Sequence, residues 1–247
     1  MCDLKMSEFF NYLPNPNNQF TPFSLNHIIP LILIAVGVYL IYYYRNKIAH
    51  NFNEKAIRYL IAIIAILWEI SFQTWQVYHG VWDFADSLPL HMCRLTNYLG
   101  IIAMFTKNHK IFEVAYFWSL GGVVSIIFPD IFHGPDRFRY YHFMAYHILF
   151  FYMYMYMLFV LNFKLTFRSF KKSYLILLAL VLFVIIPINN IFDVNYMFLL
   201  YPEETPFSIF EGRGYLLYLV GCFSLTTVIM FLWYLPIHFY NRRSNRL

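Results

Sequence analysis

Residues 56–79, AIRYLIAIIAILWEISFQTWQVYH, carry two charged side chains in a run otherwise built of Ile, Leu, Ala and aromatic residues. Wound as a helix at ~1.5 Å per residue, the run is about 36 Å long, enough to cross a hydrocarbon layer of ~30 Å. Polar side chains fall on one narrow stripe and leave the remaining surface apolar, as a lipid-facing helix requires. The rest of the chain agrees: 60% of residues are hydrophobic, 22% aromatic and 13% charged, with a mean hydropathy of +0.53. That composition lies outside the soluble globular range.

Working outward, six further apolar runs are bounded by charge, Pro or Asn. The seven fall at about 25–44, 56–79, 88–105, 111–128, 138–161, 173–188 and 214–235. The expected fold is an all-α polytopic membrane bundle of seven transmembrane helices, forming one domain over residues 1–247. The first run begins late and ends in Tyr and Arg, so it does not read as a cleavable signal peptide. Little chain is left for a soluble catalytic module, so function is expected between helices or in the outer loops.

Orientation follows from Lys and Arg, because short basic loops stay on the cytoplasmic side. The loops after runs 1, 3 and 5 and the C-terminal tail hold Arg45, Lys47, Lys55, Arg58, Lys107, Lys110, Lys164, Arg168, Lys171, Lys172, Arg242, Arg243 and Arg246, 13 of the 18 basic residues. The other side holds Lys5, Arg137, Arg139 and Arg213, and most acidic residues: Asp3, Glu8, Asp83, Asp86, Asp130, Asp136, Asp193, Glu203, Glu204 and Glu211. An outer N-terminus, a cytoplasmic C-terminus and a plasma-membrane location are expected. The pI of about 9.0 then reflects anchoring against anionic membrane lipids and gives no reason to expect nucleic-acid binding.

Cys2, Cys93 and Cys222 lie far apart, so neither a disulfide framework nor a metal-ligand spacing is visible, and no metal or cofactor is expected. Cys2 lacks the preceding apolar signal of a lipoprotein. The sequence carries no signal for oligomeric state.

Polar side chains at membrane depth need a partner or a cavity, so their angular positions show which helix faces look inward. At 100° per residue, Glu69, Gln73 and Gln76 fall within about 60° of one another. In the third run, LPLHMCRLTNYLG at 88–100, His91, Cys93, Arg94 and Asn97 cover an arc of about 160°. Counting depth from the outer ends places Glu69 within reach of Arg94, and an ion pair between them would relieve two costly buried charges. His91 and Cys93 are about 200° apart on a helix, so they meet only if Pro89 holds the first turn extended. In the fifth run His142 and His147 are about 140° apart, which excludes joint ligation of one ion, and His147 is expected to face the bundle. The alternation MYMYM at 153–157 reads as helical, since a lone strand cannot span a bilayer, with Tyr and Met packing all round. SLGGVVS at 119–125 offers Gly121, Gly122 and Ser125 for close helix packing. The loop PINNIFDVNYMFLLYPEETP at 187–206 carries Asn189, Asn190, Asp193, Asn195 and Tyr196 in an apolar frame, and is expected to dip over the bundle mouth.

LPLHMC at 88–93, FPD at 128–130, the His closing FRYYHFMAYH at 138–147, NYMFL at 195–199 and YPEETP at 201–206 resemble, in order, the motifs of the bacterial YwaF-like integral membrane proteins. The matching positions are Pro89, His91, Cys93, Pro129, Asp130, His147, Asn195, Tyr196 and Pro202. More distantly the chain resembles eukaryotic multispan acyltransferases that remodel ether phospholipids, whose site includes a membrane Cys beside a Pro-Cys-His sequence. This chain departs from that order: Leu90 separates Pro89 from His91, and Cys93 follows the His by two.

Acyl transfer on a lipid or lipid-linked substrate needs a nucleophile or activated hydroxyl, a base and an oxyanion stabiliser. The candidate catalytic residues are His91, His147, Cys93 and Glu69. The candidate substrate contacts are Arg94, Gln73, Asn97, Asn195 and Tyr196. Two other readings use the same polar residues: a small-solute or proton-coupled transporter with Glu69 titrating and His147 relaying, and a lipid-binding membrane protein without chemistry. Runs 6 and 7 lack the polar stripes of runs 2 and 3, so no transporter-type internal repeat is visible.

Overall fold

The computed structural model describes residues 8–203 and 205–244. Cys2, Asp3, Lys5, Glu204 and Arg246 lie outside the described residues, as do the side chains of Asp86, Arg242 and Arg243. Among the described residues the architecture is helical: α1 Leu25–Asn51, α2 Glu54–Tyr78, α3 Met92–Thr106, α4 His109–Ala115, α5 Leu120–Ile127, α6 Phe138–Phe159, α7 Phe167–Leu180, α8 Ile186–Phe192 and α9 Tyr215–Ser244. A single helical turn at Phe84–Ser87 and two short 3-10 turns at Tyr196–Phe198 and Pro206–Phe210 complete it.

Among the described residues, five stretches are long and apolar enough to cross a membrane: Leu25–His50, Glu54–Tyr78, His109–Ile127, Phe167–Phe192 and Tyr215–Phe239. The seven-crossing expectation is thus met by five. The third run forms only the 15-residue α3, about 22 Å long, because residues 88–91 turn instead of extending the helix. The fifth run makes the 22-residue α6, whose Tyr, His and Arg side chains hold its hydropathy below that of a lipid-facing span. Hydropathy within a bilayer is no measure of packing, however, and α6 is buried on nearly every side.

The chain divides into two interleaved units, Met1–Trp82 with Gly122–Asn162, and Asp83–Gly121 with Phe163–Leu247. In the first, α6 packs against α1 and α2. Helices in lipid gain no hydrophobic drive from contact, so close van der Waals packing must hold them. At Gly37, a Cβ would lie 2.0 Å from the Tyr152 hydroxyl, and the missing side chain lets that tyrosine lie across α1 and donate to the Leu33 carbonyl. Gly122 is similarly tight: a Cβ there would lie 2.7 Å from the Phe150 ring, which bears out the close-packing expectation for this glycine. Helix α2 starts at the Asn53 cap, whose side chain accepts from the Ala56 amide. Arg58, counted above with the loop cations, is buried one turn on and donates to Glu54 at 2.8 Å.

The segment before α1 is strapped to this unit by side chains that find its carbonyls. Trp75 Nε1 and His79 Nε2 both donate to the Phe10 carbonyl at 2.7 Å, His133 Nε2 donates to Tyr12 at 2.7 Å and Arg137 Nε to Leu13 at 3.1 Å.

In the second unit α4 packs on α3 and α7, and α9 packs on α7. Lys107 ends α3 in the left-handed conformation (φ 53°) and Asn108 at once caps α4, so two helices turn without a glycine. Glu113 accepts from Ser169 at 2.7 Å and from Lys172 at 3.4 Å, while Ser173 donates to the Val114 carbonyl at 2.6 Å. Between α7 and α8 the helix widens to a π-turn at Val181–Ile185. Pro187, two residues beyond, has no N–H for the regular ladder and explains the shift.

Candidate functional site

In the first unit, the stripe read from the sequence on α2 is a hydrogen-bonded chain. Gln73 Nε2 donates to Glu69 Oε1 at 2.9 Å, and Trp82 Nε1 donates to Gln73 Oε1 at 2.8 Å. Each donor therefore points toward Glu69, a carboxylate with 4% of its surface exposed. Gln76 is buried on the same stripe and its Oε1 has no hydrogen-bond partner among the described residues.

The two α6 histidines have different settings. His147 Nδ1 lies 2.7 Å from the Phe143 carbonyl, which can only accept, so Nδ1 carries the proton and the neutral ring keeps its lone pair on Nε2. His142 is stacked between Phe72 (4.4 Å, 15°) and Trp68 (5.9 Å, 7°) with Tyr146 alongside, and Trp68 Nε1 donates to its backbone carbonyl. His147, the member expected to face the bundle, is enclosed, and it is not alone in this. Both are buried, because a helix enclosed on nearly all sides has no outward face for His142 to occupy.

In the second unit, α3 begins at Met92, and His91 stands before it as an extended cap residue (φ −69°, ψ 142°). The helical separation computed from residue spacing therefore does not apply to His91 and Cys93. The imidazole meets the Tyr196 ring at 5.1 Å and the Phe198 ring at 5.5 Å. The Met197 amide donates to His91 Nδ1 in a long bond of 3.4 Å, so the neutral ring carries its proton on Nε2. His91 and His147 thus have opposite tautomers: His91 presents a donor and His147 a lone pair.

The loop that covers His91 is strained and heavily tied. Asp193, Met197, Phe198 and Glu203 all have left-handed backbones (φ 46–58°), a conformation that costs non-glycine residues about 1 kcal/mol or more each. Asn189 holds both backbone groups of Tyr196, donating to its carbonyl at 3.0 Å and accepting from its amide at 2.9 Å. Asn195 donates to the Tyr201 carbonyl and Glu203 Oε1, each at 2.9 Å, and accepts from the Leu200 amide at 3.0 Å. The Asn195 amide is accordingly engaged within its own loop. Tyr218 on α9 donates to the Phe198 carbonyl. Sequence reasoning assigned no role to Asn189 or Tyr218, and only the doubled Asn at 189–190 hinted at one.

Arg94, half-buried, reaches the Leu88 carbonyl at 3.5 Å. The Glu69–Arg94 pair expected from depth counting would join residues of the two different units. Cys93 is half-buried on the first turn of α3, and a Cβ on Gly121 would lie 3.7 Å from its sulfur. Asn97, one turn further along, is 1% exposed, and its Nδ2 has no hydrogen-bond partner among the described residues. Among these residues no group of three or more His, Cys, Asp or Glu is placed to hold a metal ion.

Comparison with known proteins follows the same stretch of chain. A family model described as the TMEM164 family matches residues 22–234, which takes in four of the five apolar spans, most of the fifth and both groups of candidate site residues. An uncharacterized protein of Treponema pallidum (strain Nichols) is 27% identical over 158 residues, 62% of this chain and 63% of that one. The chain thus matches less than two thirds of that relative. No solved structure matches. With the family match spanning most of its length and five apolar helices long enough to cross a bilayer, the chain is a multi-pass helical membrane protein that belongs to the TMEM164 family.

Proposed function

We propose that this protein transfers an acyl group to or between lipids or lipid-linked molecules. In this reading it is kin to the YwaF-like proteins and the ether-phospholipid acyltransferases, and crosses the plasma membrane seven times with its N-terminus outside. The observation that carries the chemistry is His91, an imidazole placed outside its helix, gripped through Nδ1 by the Met197 amide and left with an Nε2 proton to donate.

In such a reaction an acceptor hydroxyl oxygen attacks the acyl carbonyl carbon. A new C–O bond forms and the bond to the donor's leaving oxygen or sulfur breaks. The hydroxyl proton passes through a base to that leaving atom. A neutral imidazole with Nε2–H stabilises charge that develops on oxygen, as preorganised donors do. Substrates dissolved in the bilayer fit a chain with little soluble mass.

The test is transfer of an isotope-labelled acyl chain to a lysolipid by the purified protein in liposomes, read by lipid mass spectrometry. Label should appear in diacyl lipid with wild type and fall at least a hundredfold with His91→Ala, the scale of a lost oxyanion donor. Wild-type protein that leaves acyl composition unchanged defeats the proposal.

A transporter reading rests on one observation, the buried Glu69 carboxylate at the end of a one-way donor chain. Glu69→Gln abolishing solute uptake, with lipid composition unchanged, is the result that would favour it.

A further inference from the structure

Asn97 and Cys93 share one face of α3, four residues or about 40° apart. Helical Cα–Cβ bonds tilt toward the N-terminus, so the Asn97 side chain leans over the turn that carries the Cys93 thiol. Beside that thiol lies Gly121, which presents backbone in place of a side chain. Asn97 is 1% exposed, and its Nδ2 donates to nothing among the described residues, whereas Thr96 next to it returns its hydroxyl to the Met92 carbonyl at 2.7 Å. A buried donor without an acceptor costs roughly 1–3 kcal/mol. A sequence free to place Leu there would avoid that cost, and so the unfilled donor points to an acceptor that comes and goes.

We propose that Asn97 Nδ2 donates to the carbonyl oxygen of an acyl group lodged against Cys93, making this face of α3 the acyl-carbonyl subsite. The depth is suitable: Asn97 lies about 7.5 Å along α3 from its first residue, and the ester carbonyl is the acceptor a lipid carries just below its headgroup. A carbonyl needs one donor and no counter-charge, which a neutral side-chain amide supplies. Burial keeps the donor from bulk water and reserves it for that oxygen. The substrate class follows: esters or thioesters of long-chain acids, distinguished from ethers of the same chain by the carbonyl alone.

This subsite rests on the acyl-transfer reading, and it is tested by binding so that the two can fail separately. The probes are monoolein and its 1-O-oleyl ether analogue, which lacks only the carbonyl, titrated into full-length protein in detergent micelles with thermal unfolding as readout. Wild type should bind the ester several-fold to tenfold more tightly than the ether, the scale of one hydrogen bond. Asn97→Leu, which removes the unfilled donor, should unfold no lower than wild type and bind both probes alike. Asn97→Asp, similar in size but presenting an acceptor, should also lose the preference, and stands in if the Leu variant does not fold. An ester preference that survives these substitutions overturns the proposal, and so does a wild type with no preference. Ester preference without acyl transfer would defeat the acyl-transfer reading alone; acyl transfer undiminished in Asn97→Leu would defeat the subsite alone.

Discussion

The side-chain amide of Asn189 binds both backbone groups of Tyr196, accepting from its amide at 2.9 Å and donating to its carbonyl at 3.0 Å. The pair reproduces with one side chain what a neighbouring strand would do, and it holds a loop whose next two residues, Met197 and Phe198, are both left-handed. Asn189→Ala would leave two buried backbone groups unsatisfied at about 1–3 kcal/mol each, and Asn189→Asp only one. Thermal unfolding in detergent should rank wild type above Asp above Ala. Equal midpoints for all three would show that the loop does not depend on this clasp.

Gly37 and Tyr152 make a second pair whose energetics are separable. Gly37→Ala puts a methyl where the tyrosine ring now lies, so the hydroxyl must leave the Leu33 carbonyl. Overpacking of this kind costs typically 1–3 kcal/mol. With Tyr152→Leu in place, the same Gly37→Ala change should cost a few tenths of a kcal/mol. Additive losses in the double-mutant cycle would mean that the two sites are uncoupled.

Much of the helical plan was legible, because continuous apolar runs bounded by Lys, Arg and Pro mark helices irrespective of their neighbours. The failures have one source: hydropathy reports composition and is blind to hydrogen bonding. LPLH at 88–91 is as apolar as a helix start, yet the Leu90 amide turns back to the Leu88 carbonyl and the helix waits until Met92. The run expected at 138–161, by contrast, is a helix over Phe138–Phe159 despite its polar FRYY start. At the site, Glu69 and Gln73 were legible as i, i+4 neighbours. The Met197 grip on His91 was not: it links positions 106 residues apart through left-handed turns that no periodicity announces and no glycine marks.

His133 lies in the segment between α5 and α6, outside the apolar spans. Burial lowers its pKa from the ordinary histidine value, opposed by its bond to the Tyr12 carbonyl; Arg139 and Arg137 lower it further and Asp136 raises it. A depressed folded pKa means that the unfolded chain binds the proton more readily. Stability should therefore be level above about pH 6.5, the ordinary histidine pKa, and fall as pH drops below it toward the folded pKa. His133→Gln, which can still donate to Tyr12, should flatten that fall in unfolding curves between pH 7 and pH 5. An unchanged slope would place the acid sensitivity elsewhere.

His91 carries two separable features, a ring that packs on Tyr196 and Phe198 and a nitrogen pair that accepts from Met197 and donates from Nε2. His91→Phe keeps the ring and loses both nitrogens, leaving the Met197 amide without its acceptor at a cost of about 1 kcal/mol or more. His91→Gln loses the ring but keeps an acceptor and a donor. If His91 acts in acyl transfer as a hydrogen-bond donor, Gln should retain a measurable part of the rate and Phe none, even though Phe better preserves the packing against the loop. If His91 acts as a base, Gln and Phe should be equally inactive, because an amide takes up no proton near neutral pH. Transfer rates of the two variants in liposomes, normalised to folded protein by their unfolding transitions, decide between the roles. Equal loss in both would reassign the imidazole from donor to base in the proposed transfer and require the opposite tautomer there.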